Sequence, residues 1–470
     1  MKNNPKPFII SVLCIVSFAF EACNNIPKSA QGKDVASQYR TYCAGCHGEN
    51  MDRFTHKQWM DQPGTAIIEH SIKYGIESSG MPVFEKTFND KEIKLLAVYV
   101  KNRIPEDISK LKPAVTPKGV INSEEHSFVI DTVVTGLDVP WGLEFLPNGD
   151  LLISERTGTL HTFSNGKLST PIQGLPPIMT GGQGGLMDLA LHPKYDQNEW
   201  IYISYSALDT ESDTRIGSTG VMRTKLEGNK LVNQEILFIG TPATNRSHHW
   251  GCKLAFDKKE YLFFGVGERG QHFEFAQSLD NTNGKIHRIH DDGKIPTDNP
   301  FVNTPGAIKS IYCYGIRNPQ GTAVHPVTGD VWETEHGPMG GDEINLIEPG
   351  KNYGWPIISY GIDYNGKPIA EDTVRDGMQQ PVYQWTPSIA PSGMTFVTGD
   401  RFKKWENNML VGSLKFDYVE RVVIEGHKVV HTEKLAEGIG RVRNVVIGPD
   451  GLVYIGLEEP GMIVRLVPVE

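Results

Sequence analysis

Short apolar strands separated by turn residues dominate the chain from about residue 126 onward. Each unit reads as an apolar strand, a turn rich in Pro, Asp or Gly, and a second apolar strand. It recurs at LEFLPNGDLLIS, LALHPKYDQNEWIYIS, LAFDKKEYLFFGV, TAVHPVTGDVWET, MTFVTGDRFKKWENNMLVGS and NVVIGPDGLVYIG. Alternation of apolar and polar residues over such short runs predicts β-strands paired as hairpins.

The recurrence of this unit predicts the architecture. Six copies start between Leu143 and Asn444, at an average period of about 60 residues, which is typical of a β-propeller whose blades close radially. A sandwich of immunoglobulin type would show strands without this six-fold recurrence. We therefore predict a six-bladed β-propeller over residues 126–470, with the longer inserts between repeats crowding one face.

The front of the chain has helical periodicity instead. The segment 34–42 is compatible with a helix, and 92–103 places Ile93, Leu96, Ala97 and Val100 on one helical face, with Asn89 or Asp90 as the N-cap. The polar, proline-containing stretch that follows has no sustained period. The sequence thus predicts a small all-α domain over 34–105, a connector over 106–125, and the all-β propeller.

The small domain carries the pentapeptide CAGCH. A C-x-x-C-H motif is the attachment signature of c-type haem, so Cys43 and Cys46 are predicted to anchor the porphyrin and His47 to bind its iron. Met81, in GMPVF, is predicted as the second axial ligand, and Met51 and Met60 are competitors for that role. With these features the segment resembles a class I cytochrome c, which implies an electron carrier.

The first residues predict export. Lys2 and Lys6 precede an apolar run from Phe8 to Phe20 that is too short to span a bilayer, so residues 1–22 read as an export signal. Ala22-Cys23 resembles a lipoprotein cleavage site, and the sequence leaves open whether Cys23 is acylated. We expect a periplasmic or envelope-facing protein, attached to the outer membrane only if that anchor forms.

The charge of the chain bears on its binding partners, and its cysteines bear on possible disulfides. The net charge is -10, charged residues make up 22% of the chain, and no block of five like charges occurs, so a nucleic-acid partner is not expected. Outside the leader and the haem motif the cysteines are Cys252 and Cys313. In an oxidising compartment they could form a disulfide or remain two buried thiols, and the sequence leaves both open.

Cations precede or follow strands in three of the predicted blades. Arg317, Lys415, Arg441 and Arg443 are far apart in sequence and can meet only at the central mouth of the propeller. Cations that converge on an acidic protein imply an anionic ligand.

The segments between strands also carry a resemblance. GGQGGL, HHWGCKL, YGIRNPQG, EHGPMGGDEINLI, NYGWP, SIAPSG, GSLK and GRVRNVV occur in the same order in the soluble PQQ-dependent glucose dehydrogenase and aldose sugar dehydrogenase family. The resemblance covers residues 137–467. It implies a propeller that binds PQQ and calcium and oxidises a sugar.

The resemblance also implies roles for single residues. His249 would be the general base, and Gln183 would contact substrate. The cofactor would be held by Lys415, Arg441 and Arg443 at its carboxylates and by Arg317 and Asn318 near its quinone oxygens. The carbonyls of Gly337 and Pro338 would bind the cofactor's calcium, and a second calcium would lie around Glu343 and Tyr353.

Two positions depart from the glucose-oxidising members of that family. The acidic partner of the base is Glu268, where those members have Asp, and His336 stands where they have Gln. Both changes put glucose itself in doubt as the preferred substrate.

The combined prediction is a periplasmic quinohaemoprotein that oxidises an aldose to its lactone and relays electrons through its own haem to a respiratory acceptor. The alternative is a propeller that binds glycans or a protein without turnover, with the cytochrome serving a separate redox role. The sequence does not name the sugar, the acceptor, the haem potential or the oligomeric state.

Overall fold

A computed structural model of the 470-residue chain describes residues 34–47, 64–76, 81, 83–103, 117–270, 272–364 and 367–469. The side chain of Cys46 is outside this description. The predicted export signal, Cys23, Met51 and Met60 also lie outside the described residues. Within the described ranges, no helix has the length and apolar character needed to cross a membrane.

The front of the chain is helical, as predicted. Its helices are α1 (Val35–Tyr42), α2 (Ala44–His47), α3 (Thr65–Tyr74) and α4 (Asp90–Lys101). The N-cap of α4 is Asn89, whose side-chain oxygen accepts from the backbone N–H of Lys91 and Glu92, while Glu92 accepts from the N–H of Asn89. This reciprocal capping box satisfies donors that a helix start otherwise leaves unpaired.

The helices share one apolar core. The predicted face of α4 is buried, and it packs with Tyr39 of α1, Ile68 and Ile72 of α3, and Phe84 and Phe88 of the loop before α4. Cys43 and Met81 are partly buried against the same core.

The rest of the chain forms six antiparallel sheets, as predicted. The first three blades are β3 (Pro140–Phe145), β4 (Leu151–Glu155), β5 (Thr159–Ser164) and β6 (Lys167–Leu168); β7 (Leu186–Leu191), β8 (Ile201–Leu208), β9 (Gly217–Glu227) and β10 (Lys230–Ile239); and β11 (Leu254–Phe256), β12 (Tyr261–Val266), β13 (Lys285–His290) and β14 (Ile311–Tyr314).

The remaining blades follow the same order around the ring. They are β15 (Pro319–Val324), β16 (Val331–Glu335), β17 (Asp342–Ile347) and β18 (Tyr383–Trp385); β19 (Pro391–Phe396), β20 (Met409–Ser413), β21 (Val419–Glu425) and β22 (Lys428–Leu435); and β23 (Val442–Ile447), β24 (Val453–Leu457) and β25 (Met462–Val469), completed by β2 (Ser127–Thr135) and β1 (Ile121–Asn122). A short helix α5 (Tyr195–Asn198) lies between β7 and β8.

The sixth blade closes the ring with both ends of the propeller. Strand β2 pairs antiparallel with β25, from Ser127 opposite Val469 to Thr135 opposite Met462. Strand β1, which lies in the stretch predicted as connector, adds to the outer edge of β2. Pairing the first strands with the last leaves no open blade interface.

This topology collects particular loops at one end of the ring. In an antiparallel blade, the segment that enters the innermost strand and the turn between the second and third strands lie at the same end. The innermost strands β3, β7, β11, β15, β19 and β23 neighbour one another around the axis. Loops from all six blades therefore meet at one mouth.

A buried ion pair joins three blades near the axis. The ammonium of Lys253 lies 2.9 Å from Asp188 Oδ1 and 2.9 Å from Asn444 Oδ1, and the second oxygen of Asp188 accepts from the N–H of Leu254. Asp188 is fully buried. These contacts tie β7, β11 and β23 together across a large separation in sequence.

We expect Lys253→Met to lower the free energy of unfolding by about 3 kcal/mol, because it leaves the Asp188 carboxylate buried without its cation. Denaturant unfolding followed by tryptophan fluorescence measures the change.

The matched control is Lys194→Met, which removes the more exposed ion pair with Glu260 and should cost less than about 1 kcal/mol. Adding Asp188→Asn to Lys253→Met should recover part of the loss. Equal losses for the two single variants would contradict the role of the buried pair.

Candidate functional site

The candidate base His249 lies in the loop that enters β11. Its Nδ1 is 2.8 Å from Oε1 of Glu268, which follows β12 at the same mouth. Glu268 is fully buried, and its backbone N–H donates to the carbonyl of Arg317. This pairing leaves the other imidazole nitrogen, Nε2, for chemistry when Nδ1 carries the proton.

Burial controls the ionisation of this pair. Burial, with the positive charge of Arg317 next in importance, holds the pKa of His249 well below its ordinary value. Burial raises the pKa of Glu268 to about 8. His249 is therefore neutral at ambient pH, as a general base must be before it takes a proton.

A glycine-rich loop holds the backbone of His249. Oε1 of Gln183 accepts from the N–H of His249 at 2.9 Å, and the N–H of Gln183 donates to Ser247 O at 2.9 Å. A Cβ on Gly182, where φ is +58°, would lie 2.5 Å from Cβ of Ser247, and one on Gly185 would lie 1.7 Å from the carbonyl oxygen of Arg156. Only glycine allows this close approach.

Arg269 is a buried cation that the sequence reasoning missed. Its guanidinium lies 3.3 Å from the centroid of the Trp250 ring and donates to the carbonyls of Arg246, His248 and His249. A guanidinium can reach several acceptors at once because its donors form a planar fork. The only sequence signal was its place beside Glu268 in GVGERG.

Arg317 enters the site from the loop before β15. Its Nη1 donates to the carbonyls of His336 and Gly337 at 2.8 and 2.9 Å, and its backbone N–H donates to Glu335. Its Nε is buried and finds no acceptor among the described residues. A buried donor without a partner is costly, which favours an acceptor supplied by a ligand.

Asn318 connects Arg317 to the other cations. Its Oδ1 accepts from Gln320 Nε2 at 3.1 Å, and Gln320 Oε1 accepts from Arg443 Nη1 at 2.9 Å. His336 Nδ1 lies 3.5 Å from the Asn318 amide, and its Nε2 lies 2.6 Å from Pro391 O. Burial lowers the pKa of His336 to about 3, so this imidazole is neutral.

Glu458 joins the two arginines of the sixth blade, and sequence reasoning missed it. Its carboxylate accepts hydrogen bonds from Nε of Arg441 and from Nε and Nη2 of Arg443. Nη1 of a third arginine, Arg156, lies 3.9 Å from Oε1 of Glu458. Burial alone would raise the pKa of Glu458, but Arg443 and Arg441 hold it well below its usual range. Three guanidiniums therefore surround this one carboxylate.

Lys415 lies in the fifth blade, and its ammonium is 5.0 Å from the centroid of the Phe416 ring. Nη1 of Arg441 donates to the carbonyl of Leu414, the residue before Lys415. The predicted cations Arg317, Arg441 and Arg443 also converge electrostatically, since each of them lowers the pKa of His336. The mouth thus combines a neutral base with buried or half-buried cations from three blades, which suits a ligand with several carboxylates.

The carbonyls of Gly337 and Pro338 are hard oxygen donors of the kind that calcium accepts. Each also accepts a hydrogen bond in this structure, Gly337 O from Arg317 and Pro338 O from the hydroxyl of Tyr364. No cluster of three or more His, Cys, Asp or Glu side chains suited to a metal occurs in the part of the chain that the structure describes.

The residues predicted around a second calcium have separate side-chain partners. The carboxylate of Glu343 accepts from Asn345, whereas the hydroxyl of Tyr353 donates to Leu346 O and accepts from the N–H of Glu348. The second calcium site stays a prediction.

The haem residues lie in the helical domain. Cys43 follows α1, His47 ends α2, and Met81 packs against the core that also contacts Cys43. These positions suit a haem held between the helices, while the side chain of Cys46 lies outside the description. In the propeller, Cys252 and Cys313 are both buried free thiols, and burial raises the pKa of each.

Two protein families match the chain. The family model for glucose/sorbosone dehydrogenases matches residues 137–465, and the model for the cbb3-type cytochrome c oxidase subunit III matches residues 30–100. The aldose sugar dehydrogenase YliI of Escherichia coli is 40% identical over 346 residues, which cover 72% of this chain and 92% of that protein.

Solved structures of aldose sugar dehydrogenases also resemble this chain. The soluble aldose sugar dehydrogenase of E. coli in its apo form is 39% identical, with a TM-score of 0.69, and the match covers 73% of this chain and 100% of that one. The PQQ-bound aldose sugar dehydrogenase of Streptomyces coelicolor is 28% identical, with a TM-score of 0.60, over 73% and 98% of the two chains.

We expect Arg269→Met to lower the free energy of unfolding by about 3 kcal/mol, because several carbonyls of the loop that carries His249 lose their buried donor. Thermal unfolding and hydrogen exchange of the amides of 246–250 measure the global and local effects.

Arg269→Lys keeps the charge without the planar fork and should show an intermediate effect. The control Arg375→Met, at an exposed pair with Asp372, should stay within about 0.5 kcal/mol of wild type. Unchanged exchange at 246–250 in Arg269→Met would show that Arg269 does not hold this loop.

Proposed function

Because the chain belongs to the glucose/sorbosone dehydrogenase family, we propose that it oxidises the anomeric hydroxyl of an aldose to the lactone with PQQ, and passes the electrons to its own covalently bound haem c. The observation that carries this proposal is the neutral His249, paired with a buried Glu268 and placed beside Arg317 at the mouth of the ring.

The cofactor would be held by the cations of three blades. Lys415, Arg441 and Arg443 would bind its carboxylates, and the buried Nε of Arg317 would find its missing acceptor there, with Asn318 beside it. The carbonyls of Gly337 and Pro338 would share a calcium with the cofactor. When bound, PQQ supplies a quinone carbon that accepts a hydride equivalent.

The chain's own residues would handle the proton. Glu268 in its ionised form accepts a hydrogen bond from the Nδ1–H of His249. The imidazole then keeps its lone pair on Nε2, which would face the sugar's anomeric hydroxyl. Nε2 then takes the hydroxyl proton, and Glu268 stabilises the resulting imidazolium. Gln183 fixes the backbone of His249 through its N–H, and it would contact the sugar with the rest of its amide.

The helical domain would supply the electron outlet. Cys43 and Cys46 would anchor haem c, with His47 and Met81 as its axial ligands. A connector of about 20 residues keeps this domain at millimolar effective concentration, so that no diffusing carrier is needed for the first transfer. The downstream partner would be a respiratory acceptor in the periplasm, and an acylated Cys23 would keep the enzyme at the membrane.

The central test adds PQQ, calcium and a panel of aldoses to the purified haem-loaded protein and follows haem reduction by absorbance. We expect sugar-dependent reduction in the wild type and a loss of about 10²- to 10⁴-fold in His249→Ala, because the proton acceptor is gone. Met81→Ala should keep sugar oxidation with a small diffusing dye but alter reduction of the haem.

His249→Ala must still bind PQQ, as measured by fluorescence titration, for its loss to report on catalysis. If no aldose reduces the haem or the dye in the wild type, the proposal fails and a non-catalytic binding propeller becomes the better interpretation.

The pH dependence should report Glu268. Burial raises the pKa of Glu268 to about 8. Below that pH the protonated carboxyl donates its hydrogen to Nδ1 of His249, so the hydrogen of the neutral imidazole is on Nε2, which cannot act as the base. We expect dye-linked kcat/KM to rise with pH through about 8 and then level off.

Glu268→Gln should lower kcat/KM by about tenfold or more and remove this rise, because the amide does not ionise. A rise near the same pH that persists in Glu268→Gln would assign the titration to another group.

A further inference from the structure

One loop of the propeller contacts the helical domain. The hydroxyl of Thr87 donates to the carbonyl of Tyr364 at 2.9 Å across a large separation in sequence. The side chain of Tyr364 packs against the core of the helical domain, which includes Phe84 and Phe88. Tyr364 lies in the long connection between β17 and β18 of the fourth blade.

Tyr364 also contacts the loop that carries Gly337 and Pro338, which is called the cofactor-binding loop because these residues are proposed to share a calcium with the cofactor. Its hydroxyl donates to Pro338 O at 3.4 Å, and the N–H of Met339 donates to Ile362 O at 3.1 Å. The two loops pack so closely that a Cβ on Gly361 would lie 2.3 Å from Gly340 O. The loop carrying Tyr364 therefore rests directly on the one that carries Gly337 and Pro338.

On the other side, Tyr364 faces the part of the helical domain that carries the predicted haem residues. Cys43 and Met81 pack against the same core as Tyr364. Tyr42, next to Cys43, lies edge-on to Phe88 with ring centroids 5.0 Å apart, and Phe84 stacks on Phe88 at 5.8 Å. One side chain thus spans the space between this aromatic group and the Pro338 carbonyl.

We infer that Tyr364 is a positioning residue that docks the cytochrome domain onto the cofactor-binding loop, and that this contact determines how fast electrons from the sugar reach the haem. The inference deepens the proposed function and rests on it. It adds a specific contact where a tether alone would give only random encounters between the domains.

The electron count requires this contact to work twice in each turnover. Oxidation of one aldose to its lactone releases two electrons and two protons, whereas haem iron takes one electron, from ferric to ferrous. A haem held by this domain would therefore have to be reduced, reoxidised by a one-electron acceptor outside the chain, and reduced again. The protons leave through His249 and solvent. A docked domain serves both transfers without a new encounter.

The test compares full-length holoprotein variants by stopped flow. For each variant, the rate of haem reduction by aldose is divided by the rate of sugar oxidation with a small diffusing dye. We expect this ratio to fall by about tenfold or more in Tyr364→Ala, and by less in Thr87→Val, which loses one hydrogen bond at nearly constant shape. Thr87→Val should leave dye-linked oxidation unchanged.

A second readout does not depend on activity. Hydrogen exchange of the segment 83–89 should accelerate in Tyr364→Ala, because its partner surface is lost. The matched control is Tyr360→Ala on the same loop, whose hydroxyl donates instead to Gln380. It should change neither the exchange at 83–89 nor the rate ratio.

The outcomes separate the two proposals. If the wild type oxidises no aldose with the dye, the proposed function fails, while the exchange measurement still decides whether Tyr364 docks the domain. If dye-linked oxidation proceeds and Tyr364→Ala changes neither the ratio nor the exchange, the docking inference is overturned. A fall in both rates that leaves the ratio constant also overturns it, since Tyr364 would then act only on the cofactor loop.

Discussion

Closure of the ring by the pairing of β2 with β25 is the constraint on which the rest of the structure depends. It joins Ser127 to Val469 and turns six separate sheets into one circle. Because every blade is antiparallel, closure brings the loops before the inner strands to a single mouth. His249, Arg317 and Arg443 come from three different blades, and ring closure directs them to the same mouth.

The mouth of the propeller contains several charged side chains that are buried. Glu268, Arg269 and Arg317 are buried, and each makes hydrogen bonds to specific protein groups, although Nε of Arg317 has no acceptor among the described residues. Isolated buried charges would cost too much, so the loops are built around paired groups and backbone carbonyls. The cations around Glu458 would suit an anionic ligand, and the neutral imidazole of His249 would suit proton transfer.

The helical domain contacts the propeller at one particular side of the mouth. The helical domain packs on the connection between β17 and β18, the part of the propeller that also covers the loop of Gly337 and Pro338. A sugar site open at the mouth and an electron outlet at its side would let substrate and electrons use different surfaces. This division gives a physical reason for carrying a haem motif on the same chain as the propeller.

The sequence by itself determined what depends on near neighbours. The alternating repeats predicted six blades, and the helical face with Asn89 or Asp90 as its N-cap predicted α4; the blades and the helix are confirmed, with Asn89 as the cap, because periodicity and capping are local. The motifs also indicated His249, Arg317 and the other candidate residues, whose roles stay predictions. Only the tertiary structure revealed the stacking of Arg269 on Trp250, the place of Glu458 between arginines, and the contact of Tyr364 with Thr87. Those pairs are set by ring closure and domain packing, which leave no periodic signal along the chain.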